Sequence, residues 1–435
     1  MLSHAYADES KTSSAYGNEK SITWDDMLTY IGAKSIVDAG VYQGAGIRIG
    51  VIDTGMYDSN CPNLKNKDIT NKSNASGLNP HPTTVLSVIA RIAPQASFVY
   101  STLSSSDPCA SLITMIDNNC DVVNISQSMI TVPSGNYEYT PSVDGIFDYL
   151  IYYNSIIVVK SSGNNTSSSG SSSPVTNPGF AYNVITVGGV TMTDRNYIVY
   201  DSTSRFCDST DFIKPNVCGM LNYPVPDTNT IYSLTPTTTT SFAAPQVTGC
   251  IALLLEYYYN EYRTWIFPEQ MMALVMCGAE KTDDYSVNNL GLNHFDKRVG
   301  AGIFNLQNCF DPDIVVENVY IPTNATATSS FYNATIHLDA GEILCVATSL
   351  LVDTELSPTD SSSIVYPVDF VNYNLFLVSA DTGYGITFSV LSDESNIELL
   401  RYTAYTAGDY IIQVKISGEP ANGVEFLGIA YTVYD

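Results

Sequence analysis

Positive charge is scarce in this chain: 18 lysines and arginines stand against 44 aspartates and glutamates, a formal net charge of −26 over 435 residues. A surface of that sign repels phosphate backbones and anionic lipids, which sets aside nucleic acid and membrane surfaces as partners. Long apolar runs are also lacking. The run from Ile251 to Leu255 is broken by Glu256 before Tyr257 and is far too short to cross a bilayer. Met1-Leu2-Ser3-His4 offers neither a basic start nor an apolar stretch, so no signal peptide is expected in the sequence as given. Nor is there a Cys-x-x-Cys pair, and no cysteine has a histidine beside it, which argues against structural zinc. Nine cysteines is an odd number, so at least one thiol has no partner within the chain. Cys109/Cys120 and Cys207/Cys218 are spaced for local bridges, whereas Cys250 and Cys277 sit in apolar segments that suit free buried thiols.

What is present is an ordinary globular composition, 45% hydrophobic, in a chain long enough for one large domain and a smaller one. Continuous β-branched runs at 47–52, 97–103, 122–125, 156–159 and 184–187 read as strands buried on both faces. Helix patterns at 84–92, 110–118 and 143–153 lie between them, so an α/β domain with a mostly parallel sheet is expected. An almost wholly apolar helix is expected at 242–258, where it must run through the middle of the domain, and another at 269–277. After Asp311-Pro312 the pattern changes to short alternating runs, at 335–338, 343–347, 375–378, 386–390 and 410–416, separated by turn motifs. The expected division is an extension over 1–21, an α/β domain over 22–310, and an all-β sandwich over 311–435.

Four positions stand out for chemistry. Asp53 ends a buried strand and is followed by Thr54-Gly55, which puts a carboxylate on the carboxyl edge of the sheet. Alone it reads equally well as a turn aspartate. His81, one of four histidines, precedes Pro82 at the opening of a helix pattern, where a surface or capping histidine is the plainer reading. Ser241 ends Thr237-Thr238-Thr239-Thr240 and opens the apolar helix, among unpaired backbone N–H groups and the positive helix end. An N-cap serine would occupy the same place. Asn164, in Ser161-Ser162-Gly163-Asn164 just past a strand, can donate its amide to an oxyanion or simply make a turn.

Taken in order with their flanks, Asp53, His81, Asn164 and Ser241 resemble the subtilisin-like serine proteases, or subtilases, over roughly residues 22 to 308. Ile31-Gly32-Ala33, Gly44-Ala45-Gly46-Ile47, Ala93-Pro94-Gln95-Ala96, Asp121-Val122-Val123-Asn124-Ile125-Ser126, Lys214-Pro215-Asn216-Val217 and Val299-Gly300-Ala301-Gly302 agree with it. The resemblance implies Ser241 as nucleophile, His81 as general base, Asp53 orienting it, and Asn164 with the Ser241 N–H as an oxyanion hole. It implies that Ser126, Gln127 and Ser128 pair with extended substrate as an added strand. It also implies polypeptide substrates, a monomer outside the cell or on its surface, and no cofactor for the chemistry. Structural calcium is frequent in the family, but no metal ligand can be named here. The carboxyl-terminal part resembles the jelly-roll-like β-sandwich modules that often follow such domains, through Asp339-Ala340-Gly341-Glu342 and Ala407-Gly408-Asp409-Tyr410.

Departures from the family pattern are Pro82-Thr83-Thr84 after the histidine, Thr239-Thr240 before the serine, Gln246 in place of a histidine, and Ser128 in place of a glycine. They keep open a catalytically weak or inactive subtilase-fold protein that binds or regulates. A second rival rests on Asp-Thr-Gly occurring at 53–55 and again at 381–383, as in aspartic proteases whose two carboxylates share a proton. Two β lobes do not fit the α/β alternation between them.

Overall fold

The structure is a computed structural model that describes residues 21–103, 107, 109–128, 139–164, 175–192, 197–199, 213–226, 234–237, 239–282, 290, 292–323, 330–356, 364–367, 371–380, 386–392, 395–417 and 425–434. The β-branched runs form the sheet they suggest. Its strands are β1 (Arg48–Asp53), β2 (Ile69–Asn71), β3 (Ser97–Thr102), β4 (Val122–Ile125), β5 (Ile157–Ser161), β6 (Ile185–Met192), β7 (Tyr197–Val199) and β8 (Val217–Met220). They lie in the order β2-β3-β1-β4-β5-β6-β7, with β8 also on β6, and only β7 runs antiparallel.

Period-two alternation sends side chains to two separate apolar layers. Ile49, Val51, Val122, Ile157 and Val159 face a layer built from α3 (Pro80–Ile92), α6 (Ala244–Tyr262) and α7 (Pro268–Cys277). Ile52, Val123, Ile125 and Val158 face α4 (Ala110–Asp117) and α5 (Ile146–Asn154) on the other side. Both faces are therefore covered, and only the strand ends are left for function. Two short helices, α1 (Trp24–Tyr30) and α2 (Lys34–Ala39), precede the sheet, and α8 (Leu306–Cys309) follows it. A capping box between Thr23 and Asp26 fixes the start of α1.

Two expectations need correction. The histidine helix begins at Pro80, not at 84, because Asn79 caps it by accepting from the His81 N–H at 3.0 Å. The thiols of Cys109, Cys120 and Cys218 are free. Cys109 and Cys120 flank the eight residues of α4, a helix of about 12 Å, beyond the reach of a disulfide. Cys207 lies outside the described residues.

A hairpin of β9 (Tyr223–Pro226) and β10 (Leu234–Thr237) leads to Ser241. Beyond α8 the chain is all β. One sheet orders β11 (Val315–Ile321), β20 (Glu425–Tyr434), β13 (Ile343–Leu350) and β18 (Ile397–Thr403). The other orders β12 (Ser330–Leu338), β19 (Gly408–Ile416), β16 (Tyr373–Ser379) and β17 (Ile386–Val390). A small ribbon pairs β14 (Thr354–Leu356) with β15 (Ile364–Pro367). The inner faces share a core of Leu344, Val346, Leu375, Leu377, Ile412 and Val414, as a sandwich requires.

The outer face of the first sheet is buried too. Cys345, Ala347, Ile397, Leu399 and Ala430 join the same apolar layer as α7. At Gly428 β20 lies directly on α7: a Cβ there would sit 2.4 Å from the Glu269 backbone. Polar clasps accompany this packing. Asn183 accepts from the Val352 N–H at 2.7 Å and donates to the Val352 carbonyl at 2.9 Å. Arg401 donates to the carbonyls of Ala301 at 2.8 Å and Ala279 at 2.6 Å. Among the described residues no helix is long and apolar enough to cross a membrane.

Candidate active site

The carboxyl edge of the sheet gathers most of the expected residues. Asp53, the last residue of β1, is fully buried. Its Oδ1 accepts the Thr54 N–H at 2.7 Å, so the carboxylate is fixed by its own exit turn. Gly55 at φ +77 makes that turn, and a Cβ there would meet Asn79 at 2.7 Å. Met56 N–H donates to the Gly77 carbonyl and Asn79 N–H to the Met56 carbonyl, both at 2.8 Å. These ties hold the start of α3 against the end of β1.

His81 is thereby carried to Asp53. Its Nδ1 lies 2.9 Å from both carboxylate oxygens, while about a quarter of the side chain, 24%, stays exposed. The tautomer consistent with this has hydrogen on Nδ1 and leaves the Nε2 lone pair open to accept a proton. Burial pushes the imidazole's proton affinity down, but the charge of Asp53 and its hydrogen bond outweigh that, and the pKa rises above the ordinary 6.5. The Phe242 ring, 5.4 Å away between centroids, covers the imidazole from the serine side.

Ser241 lies in a single 3-10 turn, Thr240–Phe242, that precedes α6. The expected helix over 242–258 thus starts as a tighter turn and runs on to Tyr262. The Ser241 hydroxyl donates to the Ser126 carbonyl at 3.1 Å, and the Ser126 hydroxyl donates to the Ser241 carbonyl at 2.8 Å. Among the described residues no hydrogen bond joins Ser241 to His81. Behind Ser126, Asn124 donates to its hydroxyl at 3.0 Å and accepts from Thr248 of α6 at 3.1 Å.

Asn164, three residues past the end of β5, is exposed. Its Oδ1 accepts from the Thr240 N–H at 2.8 Å and from the Thr240 hydroxyl at 3.1 Å. With the oxygen so engaged, Nδ2 is the half of the amide left to donate. The Gly163 N–H in turn donates to the Thr240 hydroxyl at 3.1 Å. Asn164 and Ser241 therefore sit on two segments stitched together by Thr240.

The departures in the sequence find local reasons. Thr239, where glycine is usual, has φ −100 and ψ 139, an extended conformation that a β-branched residue adopts freely. Gln246 is fully buried, accepting from the Met220 N–H at 3.0 Å and donating to the carbonyls of Met220 at 2.7 Å and Phe242 at 2.9 Å. Its amide thus ties β8 to the serine turn. Ser128, three residues past the end of β4, is exposed.

Three features of the site are not legible in the sequence. Gln127, expected only along a substrate strand, directs its amide to the Asp53–His81 contact. Thr240, in sequence no more than a departure from the family pattern, joins the Asn164 segment to the serine turn. Four residues before Asn164, Lys160 belongs to a fully buried ionisable group with Asp144, Asp148 and Lys214. Burial pushes the carboxyls up to about 7 and about 8 and each amine down to about 7. The aspartates are spaced i, i+4, a signal visible in the sequence, but the lysines sit in apolar runs that give no hint of it. Among the described residues no group of three His, Cys, Asp or Glu side chains converges as a metal site. The second Asp-Thr-Gly, 381–383, lies outside the described residues.

A mostly parallel sheet whose carboxyl edge holds a buried carboxylate, an imidazole and a hydroxyl at a helix start is the architecture of a serine peptidase. Residues 44–302 match the profile of the subtilase family, more than half of the chain, and the chain belongs to that family of serine endopeptidases. No curated protein sequence matches it. Among solved structures it is similar to fervidolysin from Fervidobacterium pennivorans, a keratinolytic enzyme related to subtilisin, at TM-score 0.51 and 16% identity, covering 94% of this chain and 76% of that one. It is also similar to the prenylagaramide maturation protease PagA, at TM-score 0.51 and 18% identity, covering 64% of this chain and 96% of that one. A lanthipeptide protease is similar at TM-score 0.51 and 16% identity, with 65% and 93% covered. At these identities the likeness is one of fold.

Proposed function

We propose that this protein hydrolyses peptide bonds through an acyl-enzyme on Ser241. The observation that carries the reading is the buried Asp53 carboxylate with both oxygens 2.9 Å from His81 Nδ1, on the sheet edge that also holds Ser241. As the Ser241 oxygen bonds to the substrate carbonyl carbon, its proton passes to His81 Nε2, and Asp53 stabilises the imidazolium. The carbonyl oxygen becomes an oxyanion that the Asn164 Nδ2–H and the Ser241 N–H receive. The carbon–nitrogen bond then breaks as the amine takes the proton from His81, and water repeats the sequence to release the acid. Ser126, Gln127 and Ser128 pair with the extended substrate backbone. None of these steps calls for a metal or an organic cofactor. The protein works on polypeptides as a monomer outside the cell or at its surface.

The experiment is labelling by a fluorophosphonate. The expected result is one modified residue, Ser241, with labelling and hydrolysis both lost in Ser241→Ala. Hydrolysis that persists in that variant would place the nucleophile elsewhere.

A second reading draws on the Ser241 hydroxyl resting on the Ser126 carbonyl and not on His81. If that arrangement persists with substrate bound, the protein binds peptides without cleaving them. Peptide binding by a wild-type protein that no fluorophosphonate labels would favour this reading.

A further inference from the structure

Gln127 follows Ser126 on the segment that carries β4 past the sheet edge, and its side chain reaches the contact between Asp53 and His81. Nε2 lies 3.2 Å from Asp53 Oδ1 and 3.2 Å from His81 Nδ1. Only one arrangement satisfies all three groups. The ionised carboxylate accepts and cannot donate, and the Nδ1–H of the ring is already directed at it. The amide must therefore give its N–H to Asp53; an amide oxygen there would face the carboxylate with no proton between them. Asp53 Oδ1 then has three donors: Thr54 N–H at 2.7 Å, His81 Nδ1 at 2.9 Å and Gln127 Nε2 at 3.2 Å.

We propose that Gln127 is a positioning residue for the reaction, its amide holding Asp53 Oδ1 in place and dividing that oxygen's charge between itself and His81. The proposal rests on the roles given above to Asp53, His81 and Ser241. A carboxylate that also serves an amide holds an imidazolium less tightly than one serving the ring alone. Gln127 thereby keeps His81 willing to release its proton to a leaving amine. The surroundings leave few competitors for this role. Among the described residues Asp53 is the one charged group acting on His81. From the neighbouring elements, the serine turn presents the Phe242 ring, and β3 presents Tyr100, whose hydroxyl is committed to the Gly55 carbonyl at 2.5 Å. The backbone of Gln127 lies on the segment proposed to pair with substrate, so this residue links a docked peptide to the Asp53–His81 pair from the side away from the reacting Nε2.

The test is the titration midpoint of His81, read by NMR of the imidazole in the folded wild type and in Gln127→Leu, Gln127→Asn and Gln127→Glu. Fluorophosphonate labelling rates are followed over the same pH range. Gln127→Leu keeps the volume and removes the donor, so the midpoint should rise by about half a pH unit or more, the size of one shared neutral hydrogen bond. Gln127→Asn, one methylene short of Asp53, should shift in the same direction. Gln127→Glu adds a carboxylate and should raise the midpoint further. The acid limb of the labelling rate should move with each midpoint. Unchanged midpoints in Gln127→Leu, or in Gln127→Asn if the leucine variant does not fold, overturn the proposal. A wild type that titrates but never labels would instead overturn the reading of Ser241 as nucleophile, while the His81 midpoints still decide the role of Gln127.

Discussion

Ser126 and Ser241, 115 residues apart in sequence, each donate a hydroxyl hydrogen to the other's backbone carbonyl, at 2.8 Å and 3.1 Å. The pair fastens the end of β4 to the serine turn, but it also occupies the hydroxyl proposed as the nucleophile. Attack requires Ser241 to give up the Ser126 carbonyl and turn to His81. Catalytic hydrogen bonds are often formed only in the substrate complex. In Ser126→Ala the donor to the Ser241 carbonyl is lost and Asn124 loses a partner, while the acceptor for Ser241 is unaffected. Unfolding in urea should show a loss of about 1–2 kcal/mol. Labelling of Ser241 should slow, because the turn that carries it is held at fewer points.

Activity and stability should respond to His81 in opposite directions. Catalysis needs the neutral imidazole, so with a raised pKa the rate should rise with pH through a midpoint above 6.5. Stability follows the other sign. A pKa higher in the folded than in the unfolded chain means that the protonated pair stabilises the fold fully below about 6.5, and this is lost as pH rises through the folded value. A pH–rate profile and thermal melts of wild type and His81→Gln check both. Hydrolysis fastest near pH 4 would point to paired aspartates.

Asn164 has one contact in the structure, accepting from Thr240, and one proposed role, donating to the oxyanion, and substitutions separate them. Asn164→Asp keeps the acceptor for Thr240 but loses the amide donor. Its turnover should fall by about 3 kcal/mol of barrier, which is the size of the effect for an oxyanion-hole asparagine in subtilisin itself. Melting should change little. Asn164→Ala also strands the Thr240 N–H, while the Thr240 hydroxyl keeps the Gly163 carbonyl, so it should add a stability loss of about 1 kcal/mol to the same kinetic defect. Equal, mild kinetic losses in both would remove Asn164 from the oxyanion hole.

Gln246→Leu should be costly although it sits away from the reacting atoms. The apolar side chain would leave the N–H and carbonyl of buried Met220 without partners, at about 3 kcal/mol. Calorimetry on the purified variant measures this directly.

The division proposed near residue 311 can be tested by truncation. The sandwich covers apolar surface around α7 and supplies Arg401 to two carbonyls of the α/β layer. A chain ending at 310 should therefore melt at lower temperature and with less cooperativity than the full chain. Equal melting would show that the α/β part is self-sufficient.

The strands are legible because continuous runs such as Ile49-Gly50-Val51-Ile52 suit a sheet buried on both faces. Asp53, His81 and Ser241 are legible from what flanks them. The start of α3 is not, since Pro82 reads as a first-turn residue and the Asn79 cap is a single side-chain bond that periodicity cannot weigh. The contacts of Gln127 and Gln246 are equally hidden. Each depends on which of several distant groups a flexible amide meets, side chains for Gln127 and backbone for Gln246, and that is decided only when the sheet and its helices come together. The bridge that the spacing of Cys109 and Cys120 allows is not formed, for a related reason: nearness in sequence is undone by a helix between them.

Gly428 gives the carboxyl-terminal sandwich a lineage constraint. With 2.4 Å between its virtual Cβ and the Glu269 backbone, every alternative residue would push β20 off α7. A sandwich from another protein could match this one in size, twist and surface charge and still fail to seat unless it brought a bare backbone to that spot. The two parts of this chain are therefore not exchangeable modules, and their sequences are expected to have changed together.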